Sequence, residues 1–170
     1  MSKSKEENKR LCERYPFLIP RNRFSGMRIT DADSGGYWPG TPEMIPEYDY
    51  EFTELDDMPD GWHEAFGKQM LEELREELEK HELLDKYMIV QIKEKYGFLH
   101  WYDRGNTEHG HEIIEKYVGM SRRICVRCGR PAAFISTGWI SPWCCECAED
   151  INDRMVPVDE WFRETEDDED

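Results

Sequence analysis

Residues 125–147 read C-V-R-C-G-R-P-A-A-F-I-S-T-G-W-I-S-P-W-C-C-E-C. Cys125 and Cys128 form one C-x-x-C pair and Cys144 and Cys147 a second, with fifteen residues between the pairs. This spacing is a signature of a four-thiolate zinc site. Two residues between cysteines let one tight turn aim both sulfurs at a point. Gly129 follows at the position where such a knuckle needs positive φ, a conformation glycine adopts without steric cost. The second pair is expected to open a helix running from Cys144 to about Met155, on which positions three apart share a face. Cys145 then points about 100° away and is left out of the site. Residues 131–142 suit a short β-hairpin between the pairs. Knuckle, hairpin and ligand-bearing helix together describe a treble clef. Four protein ligands leave no open position, so the Zn²⁺ is expected to be structural.

Other chemistries for this stretch fit less well. Disulfides need an oxidising compartment, and no signal peptide is evident. A redox C-x-x-C needs a βαβ context. A rubredoxin-type iron site usually has glycine after both knuckles, whereas Ala148 follows Cys147. Arg122, Arg123, Arg127 and Arg130 surround the first pair. They are positioned either to offset the thiolate charge or, with Trp139 and Trp143, to contact phosphates and stack on bases.

Moving outward, 170 residues suffice for one core and a small satellite. No apolar run is long enough to span a membrane, and six cysteines suit a reducing cytoplasm. The net charge of −16 is unevenly spread, with ten acids and no Lys or Arg in residues 31–60 and six acids in the last seven residues. Such a chain repels bare DNA and anionic lipid and attracts basic protein surfaces.

Residues 1–14, charged and polar with Leu11 and Cys12 late in the run, read as a frayed arm or short helix, and Y-P-F-L-I-P (15–20) as an extended apolar anchor. Residues 21–60 read as an irregular wrap pinned by Tyr37, Trp38, Tyr48, Tyr50 and Phe52. Asp60 is expected to cap the longest helix, whose apolar stripe is Phe66, Met70, Leu71, Leu74 and Leu78. Glu72, Glu73, Glu76, Glu77 and Glu79 are placed on its outer face, with Glu76–Lys80 and Glu82–Lys86 as local pairs worth about 0.2–0.5 kcal/mol each. In residues 87–103, Met88, Val90 and Ile92 alternate with Ile89, Gln91 and Lys93. With a turn at Tyr96-Gly97, this predicts a β-hairpin. Residues 104–110 are expected as a loop and 112–120 as a second helix, with Ile113, Ile114, Tyr117 and Val118 on its apolar face. Trp161 and Phe162 are expected to dock before an acidic, disordered tail.

The fold class expected is α+β: a long amphipathic helix packed on a small hairpin sheet, with a C-terminal treble-clef zinc module. The divisions are a charged arm and acidic wrap (1–60), a helix-hairpin-helix core (61–120), the zinc module (121–158) and an acidic tail (159–170).

Catalytic patterns are sparse. Pro59-Asp60 and Gln91-Ile92-Lys93 imitate a PD…(E/Q)xK nuclease outline without its strand context. His109 and His111 flank Gly110 but fall short of a ligand set, and His63, His81 and His100 stand apart. No phosphate loop, nucleophile elbow or H-E-x-x-H occurs. No enzyme is expected and no catalytic residue is assigned.

The segments Y-P-F-L-I-P-R-N-R, T-E-L-D-D-M-P-D-G-W, Q-I-K-E-K-Y-G-F-L-H-W-Y, S-R-R-I-C-V-R-C-G-R-P and G-W-I-S-P-W-C-C-E-C span residues 15–147. Together they resemble a group of small uncharacterised zinc-binding proteins encoded by tailed bacteriophages and prophages. The resemblance implies an accessory protein of the bacterial cytoplasm, with Cys125, Cys128, Cys144 and Cys147 as ligands. The functional expectation is a non-enzymatic protein that binds and modulates a host protein, presenting acid where a defence or transcription factor expects phosphate. The alternative is a zinc module that binds nucleic acid through its arginines.

Overall fold

The structure, a computed structural model, describes residues 3–22, 26 and 48–167. It is α+β, with two small antiparallel sheets. The first half holds helix α1 (Lys5–Arg14), a short helix α2 (Asp60–Trp62), a π-helical turn (His63–Gly67) and helix α3 (Lys68–Lys80). Strands β1 (Met88–Lys95) and β2 (Phe98–Arg104) and helix α4 (Glu108–Ser121) follow. The second half holds β3 (Phe134–Ser136), β4 (Ser141–Trp143), α5 (Cys145–Ala148), β5 (Met155–Pro157) and α6 (Val158–Asp167). Strands β1 and β2 form one sheet, and the other has the order β4-β3-β5.

The N-terminal arm is an ordered part of the core. Ser4 and Glu7 form a capping box, each accepting from the other's backbone N–H, which fixes the start of α1. Cys12, Tyr15, Phe17 and Leu18 are buried in the same cluster as Leu74 and Leu78 of α3 and Ile92 of β1. Residue 60 is therefore no boundary of packing. The Y-P-F-L-I-P anchor buries as expected, but Pro16–Leu18 is a 3-10 turn and not extended, the proline supplying the helical φ at its first position. Tyr48 is buried and its hydroxyl donates to the Phe52 carbonyl. Phe52 itself is exposed, so it is no pin. Tyr37, Trp38 and most of the acidic wrap lie outside the described residues.

The long helix differs from its expected form in three ways. Asp60 lies within α2 while Pro59 is the cap and gives no side-chain bond, so Asp60 is not the N-cap. The helix ends at Lys80, and Glu82 sits at φ 56°, which removes Glu82–Lys86 as a helical pair. The i,i+4 pairs that form are Arg75–Glu79 and Glu77–His81. The glutamates also do not all face water. Glu77 is buried and accepts from the Thr107 hydroxyl at 2.7 Å. Glu73 accepts from Lys116 and from the Tyr117 hydroxyl. Glu72 accepts a two-pronged bond from Arg14, at 2.9 and 2.8 Å, and a bond from the Tyr15 hydroxyl. These three carboxylates clamp α3 to α4 and to the N-terminal arm.

The β1–β2 hairpin closes at Tyr96-Gly97 as expected, but its alternation is broken. The register shifts between Ile89 and Gln91, so Val90 is the extra residue of a bulge. Ile89 and Ile92 are consequently both buried. Helix α4 lies against both β2 and α3. It starts at Glu108, capped by the Thr107 hydroxyl, which converts part of the expected 104–110 loop into helix. The Tyr87 hydroxyl donates to Asp103 and accepts from Trp101 Nε1, each at 2.8 Å, so these polar atoms satisfy one another beside the core. At the C-terminus, helix α6 reaches Asp167, where a disordered tail was expected. Arg123 lies 4.4 Å over the Phe162 ring.

The Arg14 guanidinium and the Tyr15 hydroxyl hold the Glu72 carboxyl down to about 2. A carboxyl depressed on folding stabilises the fold above its unfolded pKa and loses that contribution as pH falls toward the folded value. We expect Glu72→Gln to cost about 1–2 kcal/mol in urea melts at neutral pH. The gap from wild type should close between about pH 4.5 and pH 2.

Candidate metal centre

The four cysteines come from two backbone turns. At the knuckle, the Cys125 N–H donates to the Arg130 carbonyl at 2.8 Å and the Gly129 N–H to the Cys125 carbonyl at 3.1 Å. Gly129 has φ +77°, as its place after the second cysteine requires. The second turn begins at Cys144, which is extended and acts as N-cap of α5, its sulfur accepting from the Cys147 N–H at 3.4 Å. The four sulfurs of Cys125, Cys128, Cys144 and Cys147 lie within 4.8 Å of one another, and Cys128 and Cys144 are 3.6 Å apart. A tetrahedron of thiolates with metal–sulfur bonds of about 2.3 Å separates its sulfurs by roughly 3.8 Å. Cys125, Cys144 and Cys147 are buried, and none of the four is in a disulfide. The geometry fits one metal ion held by four sulfurs.

The electrostatics fit as well. Burial opposes ionisation of Cys128, but the Arg130 N–H, its guanidinium and the neighbouring thiols outweigh it and bring the group down to about 6. Burial first, then the other three cysteines, push Cys147 up to about 12. Without a cation, then, burial and the neighbouring sulfurs resist ionisation of Cys147. A divalent ion removes that resistance and deprotonates its ligands.

Helix α5 is one turn, Cys145–Ala148, and does not continue to Met155. The chain instead bends so that the Asp153 carboxylate accepts from the Gly138, Trp139 and Arg154 backbone N–H groups. Met155–Pro157 then joins β3 as a third strand. These bonds hold Asp153 below the usual carboxylate range, its bond from Trp139 foremost. Cys145 is exposed and outside the cluster.

The knuckle is also a docking surface for the core. The Gly61 N–H donates to the Val126 carbonyl at 2.9 Å, and Trp62 Nε1 to the Ile124 carbonyl at 2.9 Å. A Cβ on Gly61 would lie 2.1 Å from the Cys125 carbonyl oxygen, and one on Gly129 2.6 Å from the Gly61 oxygen. Two glycines thus let two backbones touch. Pro59-Asp60-Gly61 gave no sign of this, because the partner lies more than sixty residues away in sequence.

The arginines around the first pair are mostly engaged. Arg123 pairs with Asp159 at 3.4 Å, Arg127 with Asp150 at 2.9 Å, and Arg130 with Glu146. Arg127 also lies over the Trp143 ring. Arg122 instead stacks 3.9 Å over Phe98. Trp143 Nε1 donates inward to the Ser136 hydroxyl. Trp139 is 73% exposed, with Nε1 donating to Glu94.

The other candidates do not converge. His109 and His111 sit in the first turn of α4 and not in a loop, His109 on Glu112 and His111 on Asp103. Asp60 lines a pocket with Asp56 and His63, while Lys93 lies over the Tyr102 ring. A cleft of about 580 Å³ between α3 and α4 is lined by Glu73, Glu77, His109 and Glu112 among others. Of its glutamates, Glu73 and Glu77 join α3 to α4 and its capping residue, as described above. Among the described residues no helix is long and apolar enough to cross a membrane. Comparison of the chain with known protein families, characterised proteins and solved structures finds no match in any of the three.

Two outcomes check this centre. Titration of the native protein with a thiol reagent should find one fast-reacting cysteine, abolished by Cys145→Ser, because metal ligation and burial protect the rest. Gly61→Ala should destabilise by about 3 kcal/mol in denaturant melts, since the clash is with backbone that cannot step aside.

Proposed function

We propose that the chain is a non-catalytic binding protein whose C-terminal half is organised by one structural Zn²⁺ in a treble-clef arrangement. Zinc is the ion that four thiolates in a closed tetrahedron suit best, and a site with no open position has no place for substrate. In keeping with the resemblance to tailed-phage accessory proteins, its setting is the bacterial cytoplasm and its target a host protein with a basic surface. There it presents carboxylates where that protein would meet phosphate.

The observation that carries this reading is the pairing of Arg123, Arg127 and Arg130 with Asp159, Asp150 and Glu146. The knuckle would otherwise be the natural phosphate-binding patch. Its cations are matched by carboxylates that are themselves 71–90% exposed, on a chain of net charge −16. The metal-bearing half therefore offers mixed and acidic surface, which steers basic protein partners.

Affinity capture from nuclease-treated bacterial lysate tests it. A protein partner should be retained at physiological salt and released as salt rises, since the Debye length shrinks from about 8 Å to about 3 Å at 1 M. Nucleic acid recovered from untreated lysate, with no protein in either preparation, would overturn it. The same surface gives a second readout. Glu146→Gln/Asp150→Asn/Asp159→Asn should weaken the partner and, by freeing the arginines, strengthen duplex DNA binding in gel shifts by about tenfold or more.

A further inference from the structure

The outer face of the β1–β2 hairpin has a character opposite to the rest of the chain. Leu99 and Trp101 turn inward and are buried, so Phe98, His100 and Tyr102 turn outward. Their partners across the ladder are Lys95, Lys93 and Gln91. This six-position face carries two lysines and no acid, in a chain with 38 acids against 22 Lys and Arg. Neither lysine makes an ion pair among the described residues. Each lies over a ring instead, Lys93 5.3 Å from the Tyr102 centroid and Lys95 4.8 Å from that of Tyr96. Arg122 caps the same row over Phe98. The rings form a column, with Phe98 and His100 centroids 4.3 Å apart and His100 and Tyr102 6.1 Å apart.

The hairpin tip adds a second, independent observation. Tyr96 and Gly97 have φ +55° and +82°, the values of a type I′ turn, where asparagine or aspartate is favoured at the first position. A bulky aromatic held there is strained. Yet Tyr96 is 64% exposed, so burial of its ring does not account for the choice. Beside the tip stands Trp139, brought there by its bond to Glu94 and by contact of Gly97 with Ile140. The Glu94 carboxylate accepts from the Gly97 N–H and from Trp139 Nε1. It thus ties Trp139 to the hairpin turn.

We propose that this face, together with the hairpin tip, binds single-stranded nucleic acid. Tyr96 and Trp139 supply stacking surfaces for bases, and Lys93, Lys95 and Arg122 meet the phosphates. Unpaired cations beside exposed rings are what a flexible strand with accessible bases requires. A duplex hides its base faces and meets the acidic remainder of the molecule. Apart from Arg122, which turns to Phe98, the surface is distinct from the paired knuckle arginines Arg123, Arg127 and Arg130 and from the acidic surface proposed above for a host protein, so either reading can fail without the other.

The test is fluorescence anisotropy of the purified, metal-loaded protein with a labelled oligothymidine of about ten nucleotides, within the usual site size. Binding should saturate and exceed that of a duplex of equal length by at least about tenfold. The slope of log affinity against log salt should be about −2, for three phosphate contacts at about −0.7 each. Trp139→Ala should weaken binding about tenfold at unchanged slope, and Lys93→Gln or Lys95→Gln should make the slope shallower by about 0.7. Tyr96→Asn separates function from structure. It should weaken binding while raising Tm by about 2–4 °C, because it relieves the turn. Failure to saturate by about 100 µM, the weak end of non-specific binding, would overturn the proposal. So would equal affinity for duplex, equal displacement by a polyglutamate peptide, or a loss on Arg127→Gln in place of the hairpin variants.

Discussion

The two halves of the molecule meet where one backbone lies directly on another. Gly61 at the start of the long helix rests on the Cys125–Gly129 knuckle, close enough that neither Gly61 nor Gly129 tolerates a Cβ. Trp62 locks the contact by donating to the Ile124 carbonyl. The knuckle can hold this shape because its two sulfurs are drawn to the same point as those of Cys144 and Cys147. A tight turn of five residues has too little apolar surface to be stable by itself. Metal binding and folding are coupled in such elements, and a metal held by these four sulfurs would extend that coupling past the knuckle to Gly61 and Trp62 of the core.

Electrostatics work at two scales. Locally, carboxylates act as connectors: Glu72 and Glu73 tie elements distant in sequence, and Asp153 shapes the β3–β4 turn. The knuckle cations are absorbed in the same way. Globally, the surplus of acid sets what the molecule can approach. Against that background the hairpin's outer face, with Lys93 and Lys95 over tyrosine rings, is a local reversal of sign. A reversal on this scale persists in salt, because a Debye length of about 8 Å confines each patch to its own field.

Features with local causes were legible in the sequence. The doubled C-x-x-C predicts the sulfur cluster, Gly129 the left-handed turn, Tyr96-Gly97 the hairpin, and the leucine stripe the buried face of α3. The Ser4–Glu7 capping box was equally local and carries a known pattern, S-x-x-E, that the reading of residues 1–14 passed over. The departures have non-local causes. Helix α5 stops early because Asp153 and β5 are needed against β3. Glu77 is buried because Thr107 meets it from α4. A bulge at Val90 changes which residues of β1 face inward, and nothing in the alternating pattern marks it. At the candidate site the clustering of the four cysteines followed from spacing, whereas the pairing of the arginines depends on where α5 and α6 bring their carboxylates.

Native mass spectrometry across a chelator titration examines the central claim most directly, because mass and charge-state distribution report metal content and compactness together. The account predicts one zinc per chain in the purified protein, and a shift to broad, high charge states as that ion is withdrawn. A chain carrying no stoichiometric metal, or one that stays compact after losing it, would contradict the dependence of the fold on the four sulfurs.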